Sequence, residues 1–204
     1  MIAALAVLAA GANAERRDAG AAEDLALVER HRAGDPAAFA SIYRAHAADV
    51  HRRLSRLLGP VPEREDLLQD VFLALHRALP AFRGEAALAT LLQRIAINKA
   101  CELLRARYRR PTTSVDSAYF DDIVSRAGSP EAQASAREEL AAVFACLARI
   151  KPKKRVALLL RVVEGLSFEQ IGELVDATPE TVAKRVQYGH RELEALLARR
   201  GGVA

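Results

Sequence analysis

The chain has no tryptophan, one methionine and only two cysteines in 204 residues. Cys101 and Cys146 lie far apart, and neither sits in a Cys-x-x-Cys or Cys/His array, which argues against a structural zinc site and fits a reducing cytoplasm. Strand signals are missing too. Alternating β-branched runs are absent, as are the Asn-Gly and Asp-Gly pairs that close tight hairpins. No segment reaches the length of a membrane span; the apolar run Ile2 to Ala10 is far too short. Ala12-Asn13-Ala14 after it resembles a cleavage site, but a positively charged leader is lacking, so residues 1–22 are expected to be a poorly ordered extension or an upstream start choice, with secretion as the minority reading.

What remains is helical. The chain is 51% hydrophobic and 27% charged, enough apolar material for one or two small cores, and its net charge of +4 matters only where it is clustered. The stretch "SFEQIGELVDATPETVAKRVQYGHRELEALL" carries its own punctuation. Ser167 and Gln170 have the spacing of a capping box, so a helix starts at Phe168 with Ile171, Leu174 and Val175 on its apolar face. Asp176 tolerates left-handed backbone and ends it. Thr178 then caps a second helix, with Pro179 at its first position, where a missing N–H costs nothing. Val182, Val186, Gly189, Leu193 and Leu196 form its inner stripe; Glu180, Lys184, Gln187, Tyr188 and Arg191 face outward. Two capped helices around a tight turn make a helix-turn-helix, whose second helix enters a DNA major groove. A solvated helical hairpin is the plainer alternative.

Upstream, "EDLALVERHRAG" reads as a helix ended by Gly34, followed by an Asp35-Pro36 cap and a helix running to Gly59-Pro60. A third helix carries Leu67, Leu68, Val71, Phe72 and Leu75 and stops before Pro80. The loop "AFRGEAA" leads to a fourth with Leu88, Leu91, Leu92, Ile95, Ala96 and Leu103 on its buried side. Lys99, Arg105, Arg107, Arg109 and Arg110 crowd its C-terminal half, which suits either phosphate neutralisation or a dipole-matched, solvated end. The expected organisation is all-α: a helical domain over 23–110, a flexible linker over 111–135 rich in Ser, Thr and Pro, and a helix-turn-helix domain over 136–200.

The ordered set of motifs resembles an extracytoplasmic-function sigma factor of the sigma-70-type family, from about Asp24 to Leu197. "DLLQDVFLALHRALPAFRG" and "LLQRIAINKACELLR" resemble region 2, and "LLLRVVEGLSFEQIGELVDATPETVAKRVQYGHRELEALL" resembles region 4. The resemblance implies that Asp66, Leu67, Gln69, Asp70 and Phe72 dock on core RNA polymerase. It implies that Phe82, Arg83, Gly84 and Glu85, with Arg94, Asn98, Lys99 and Arg105, serve the −10 promoter element, the loop holding an unstacked base. Glu180, Thr181, Lys184, Arg185, Gln187, Tyr188 and Arg191 would serve the −35 element, Arg185 being the weakest member because it lies toward the flank. Implied partners are core polymerase, promoter DNA and an anti-sigma factor, with no small-molecule substrate and a cytoplasmic monomer when free. No catalytic group, cofactor or metal is implied. The chain departs from the family in having Leu91-Leu92 where Trp-Leu is common, Asp176 where glycine is usual, and the charged junction "IKPKKR".

Two other functions remain open on the sequence. A conventional helix-turn-helix regulator would bind an operator without polymerase, usually as a dimer with paired half-sites. A helical-bundle enzyme would use His46, His51 and His76, although their spacing makes no Glu-x-x-His motif.

Overall fold

The computed structural model describes residues 20–111, 116, 119 and 129–201. The apolar N-terminal extension up to residue 19 and the acids Asp121 and Asp122 lie outside those residues. All described secondary structure is helical. Four helices come first: α1 (Ala21–Arg32), α2 (Pro36–Leu58), α3 (Arg64–Ala78) and α4 (Leu88–Arg109). Four more follow: α5 (Pro130–Leu147), α6 (Pro152–Val162), α7 (Phe168–Val175) and α8 (Pro179–Gly201).

Local chemistry sets most boundaries. Asp35 accepts from the Ala37 amide at 2.8 Å, with Pro36 at the first turn of α2. The capping box of α7 closes in both directions, the Gln170 amide donating to Ser167 Oγ at 3.2 Å and the Ser167 amide to Gln170 Oε1 at 2.9 Å. Asp176 then takes φ 49°, ψ 65°, the left-handed conformation expected at that turn. Pro80 does not end the chain direction abruptly; it lies inside a short 3-10 turn, Leu79–Ala81, that follows α3.

α1 to α4 pack on one another around Val28, Ile42, Leu54, Val71, Leu75, Leu92 and Ile97, and α5 to α8 around Leu140, Leu147, Val156, Leu160, Ile171 and Val182. Leu92 is 1% exposed and Leu91 half-buried, so leucine fills the place where the family has tryptophan. Removing these apolar side chains from water supplies the main driving force for folding.

The sequence leads one to expect two units on a pliable tether, and here the structure adds something. α2 and α4 pack against α6, and α4 against α7, so the buried residues of both bundles form one continuous cluster. Of the segment 111–135, Asp116 donates its amide to Pro60 O and pairs with Arg64, while Tyr119 is buried edge-on to Phe144 at 5.4 Å. α5 starts at Pro130, ahead of the expected start of the second domain at residue 136, because Ser129 caps it through the Ala132 amide.

Candidate nucleic-acid interface

The second helix of the helix-turn-helix, α8, presents its outer face to solvent. At 100° per residue, Glu180, Lys184, Gln187 and Arg191 fall within about 60° of one another, and all four are exposed. Tyr188, half exposed, borders the row. Thr181 and Arg185 lie further round and are half-buried. Thr181 is tied into the cap: its amide and hydroxyl meet Thr178 Oγ1 at 3.3 and 3.1 Å. Backbone and Thr178 hydrogen bonds at the helix N-terminus hold the Glu180 carboxyl below its ordinary range, so it stays ionised.

Two glycines allow close approach, Gly172 at the turn and Gly189 where α8 meets α6. A Cβ on Gly172 would lie 2.5 Å from the Ala177 carbonyl oxygen, and one on Gly189 would lie 3.2 Å from Lys154 O. α8 therefore sits close on α6. Lys154 of α6 pairs with Glu192 and lies 5.6 Å over the Tyr188 ring, which braces the edge of the exposed face from behind.

A second row runs along α4. Arg94, Asn98 and Arg105 are exposed and share one face, which Arg109 extends by another turn. Lys99 is only half exposed and lies 3.9 Å from Asp70 and 3.8 Å from Glu102, so part of its charge is answered inside the protein. The loop before α4 exposes Arg83, Gly84 and Glu85, while Phe82 is half-buried against the core and anchors it. Gly84 has φ 73°, a conformation costly for side-chain-bearing residues. Arg32 is a contributor that sequence patterning missed. Its guanidinium donates to Leu79 O at 3.1 and 3.2 Å and to Phe82 O, fastening the start of the loop. Nothing in its spacing marks it, since the partners are far along the chain.

The third set divides. Asp66, Gln69 and Asp70 are exposed on one face of α3. Leu67 and Phe72 are not: they are 9% and 3% exposed, and Phe72 packs on Tyr43 with ring centroids 4.6 Å apart. Those two belong to the core, because an apolar side chain on the inner face gains more by burial than by display. The exposed apolar member of this face is Leu73, 55% exposed and two turns after Asp66. Its sequence signal is an apolar residue lying off the buried stripe.

Two of the three histidines singled out in the sequence have partners within the helical packing. His46 pairs with Asp24 at 2.8 Å, and His76 packs among His31 and Phe39 at ring distances of 4.9 and 5.1 Å. Among the described residues no three His, Cys, Asp or Glu side chains are placed to hold a metal ion, and no helix is long and apolar enough to cross a membrane.

Known proteins match the chain over both bundles. A family model described as Sigma-70 region 2 matches residues 42–110, and one described as Sigma-70, region 4 matches residues 140–193. The RNA polymerase sigma-H factor of Pseudomonas aeruginosa is 36% identical over 171 residues, covering 80% of this chain and 88% of that protein. The ECF RNA polymerase sigma-E factor of Escherichia coli K12 is 34% identical over 171 residues, with the same coverage of 80% and 88%. Among solved structures, CnrH in complex with the cytosolic domain of CnrY is similar with a TM-score of 0.59 and 23% identity, over 86% of this chain and 97% of that one. The sigma factor RpoE in complex with the anti-sigma factor NepR from Bartonella quintana gives 0.53 and 19%, over 78% and 96%. At those identities the two structures speak to the fold.

Proposed function

We propose, for a chain that belongs to the extracytoplasmic-function members of the sigma-70 family, that it is a dissociable promoter-specificity subunit of RNA polymerase. The observation that carries this reading is the presence of two exposed reading rows on one chain, one on α4 in region 2 and one on α8 in region 4. A regulator that binds one operator needs only the second.

In this reading, α8 lies in the major groove of the −35 element. Arg191 and Lys184 neutralise phosphates or pair with guanine, Gln187 suits adenine, and the ionised Glu180 suits the amino group of cytosine. Arg94, Asn98 and Arg105, continued by Arg109, track the separated strand at the −10 element, and the Arg83–Glu85 loop borders an unstacked base. Asp66, Gln69, Asp70 and Leu73 form the face that docks on core polymerase, acidic and amide groups around one apolar side chain. Two modest readers on one chain become selective together because engagement of the first raises the effective concentration of the second. Polymerase carries out the phosphoryl transfer; the chain positions it. An anti-sigma factor is the fitting inhibitor, since the related RpoE structure is a complex with one.

Reconstitution tests the reading. The purified chain added to core polymerase should produce transcripts from defined start sites and co-migrate with core. Operator binding without polymerase association would favour the conventional regulator.

A further inference from the structure

Several cations at the seam between the two bundles are answered by acids. Glu164, in the turn after α6, has a side chain only 6% exposed and reaches two arginines of α2, Arg53 at 2.8 Å and Arg56 at 2.9 Å. Arg64 pairs with Asp116, and Arg107 is held by both carboxylate oxygens of Glu63 at 2.6 and 2.7 Å. Arg155 of α6 is the exception. It is 5% exposed, and its guanidinium donates to Leu57 O at 2.9 Å and Leu58 O at 2.7 Å, terminal carbonyls of α2. Among the described residues no carboxylate reaches it, and its buried Nε makes no hydrogen bond. The groups that act on it are the Tyr119 phenol and a second cation, Arg107. A guanidinium taken out of water without an anion is costly, so the position favours one supplied from outside the chain.

Arg155 borders a cavity of about 470 Å³ between the ends of α2 and α4, one face of α5 and the start of α6. That volume lies within the range of about 300–1,000 Å³ usual for small-molecule sites. Leu104, Phe144 and Ile150 give it a buried apolar wall, and Ala145, a small residue on the exposed side of α5, leaves its space open. Tyr108, 42% exposed, and the exposed Arg149 stand at the mouth. The charged residues of the lining, Arg107, Arg149 and Arg155, are all cations; no acid lines it among the described residues. Ordered water fills such a space poorly, since each molecule needs about two to four polar partners that the wall does not offer. A nucleic-acid backbone would leave the same wall without apolar contact.

We propose that this cavity is a binding site for a small apolar carboxylate, its charged end toward the arginines and its hydrocarbon body against Leu104, Phe144 and Ile150. Arg149 can pair with the carboxylate through two parallel N–H···O bonds, the arrangement that suits a guanidinium, while Arg155 and Arg107 favour the same sign of charge from within. The site lies apart from promoter reading and does not depend on it.

Octanoate is the probe, titrated into the isotope-labelled full chain and followed by amide chemical shifts. Saturable shifts should group on Leu104, Tyr108, Phe144 and Ile150. Octan-1-ol, of the same length without the charge, should bind about ten-fold more weakly, the usual worth of a hydrogen bond to a charged group. Ala145→Phe fills the space and should remove the saturable shifts with far-UV helicity unchanged. Should that variant fold poorly, Arg149→Gln, at an exposed position, should weaken octanoate about three-fold, and Arg149→Lys should recover part of the loss. Scattered or non-saturable shifts would overturn the site. Equal affinity for octan-1-ol would overturn its preference for an anion, and native octanoate affinity in a folded Ala145→Phe chain, or in Arg149→Gln, would overturn the assignment to this cavity.

Discussion

At the scale of single residues, burial separates side chains that are adjacent in the chain. Phe72 and Leu73 are neighbours, yet one is 3% and the other 55% exposed. Phe72→Ala should lower stability by about 3–5 kcal/mol, the usual cost of emptying a core aromatic site, as read from the denaturant midpoint. Leu73→Asp should leave the midpoint nearly unchanged while weakening association with core polymerase. The reverse pattern would return Phe72 to the docking surface. Arg155 shows the same lesson for charge. Its burial pushes the guanidinium down to about 10, so it remains a cation at neutral pH and keeps its two carbonyl partners.

At the scale of elements, the helix-turn-helix is specified locally and then tightened by glycine. Ser167→Ala removes one side of the capping box and should cost about 1 kcal/mol in chemical denaturation, with far-UV helicity otherwise intact. Gly172→Ala should be worse for function, because the added methyl meets backbone at Ala177 and forces α7 and α8 apart. Binding to a −35 duplex should fall together with stability, and an alanine variant with native DNA affinity would show that the turn can yield. Along α8, Lys184→Glu and Arg191→Glu should impair −35 binding while sparing core association. For every phosphate that a variant no longer neutralises, the slope of log affinity against log salt should shrink by about one; an unchanged slope would assign these residues to bases or to neither.

At the scale of the whole molecule, packing between the regions is the feature with measurable consequences. Small-angle scattering of the free chain should give a radius of gyration near the compact value of about 17 Å. Two units moving independently on a tether would scatter as a clearly larger particle. Raising ionic strength should weaken the ion pairs of the seam less than it weakens DNA binding, since Glu164 is nearly buried and screening acts mainly on exposed charges.

How much of this was legible in the residues alone follows from the range of the interactions. Both ends of α7, the start of α8, the left-handed Asp176 and the outward row on α8 rest on groups three or four residues apart, so spacing and cap chemistry determined them without any partner. The two-region organisation was readable because the motifs occur in order. The fates of Leu67 and Phe72, the fastening of the loop by Arg32 and the destination of Arg155 and Glu164 depend on residues far away in the chain. A junction such as "IKPKKR" shows a cluster of charge, but only the packed chain decides that Arg155 turns inward to the end of α2 while Lys151 and Lys153 stay at the surface. Sequence determined which helices form and which faces are apolar, because those are local free energies. Tertiary structure alone decided which faces meet, because that choice is made by complementarity between surfaces that no local pattern records.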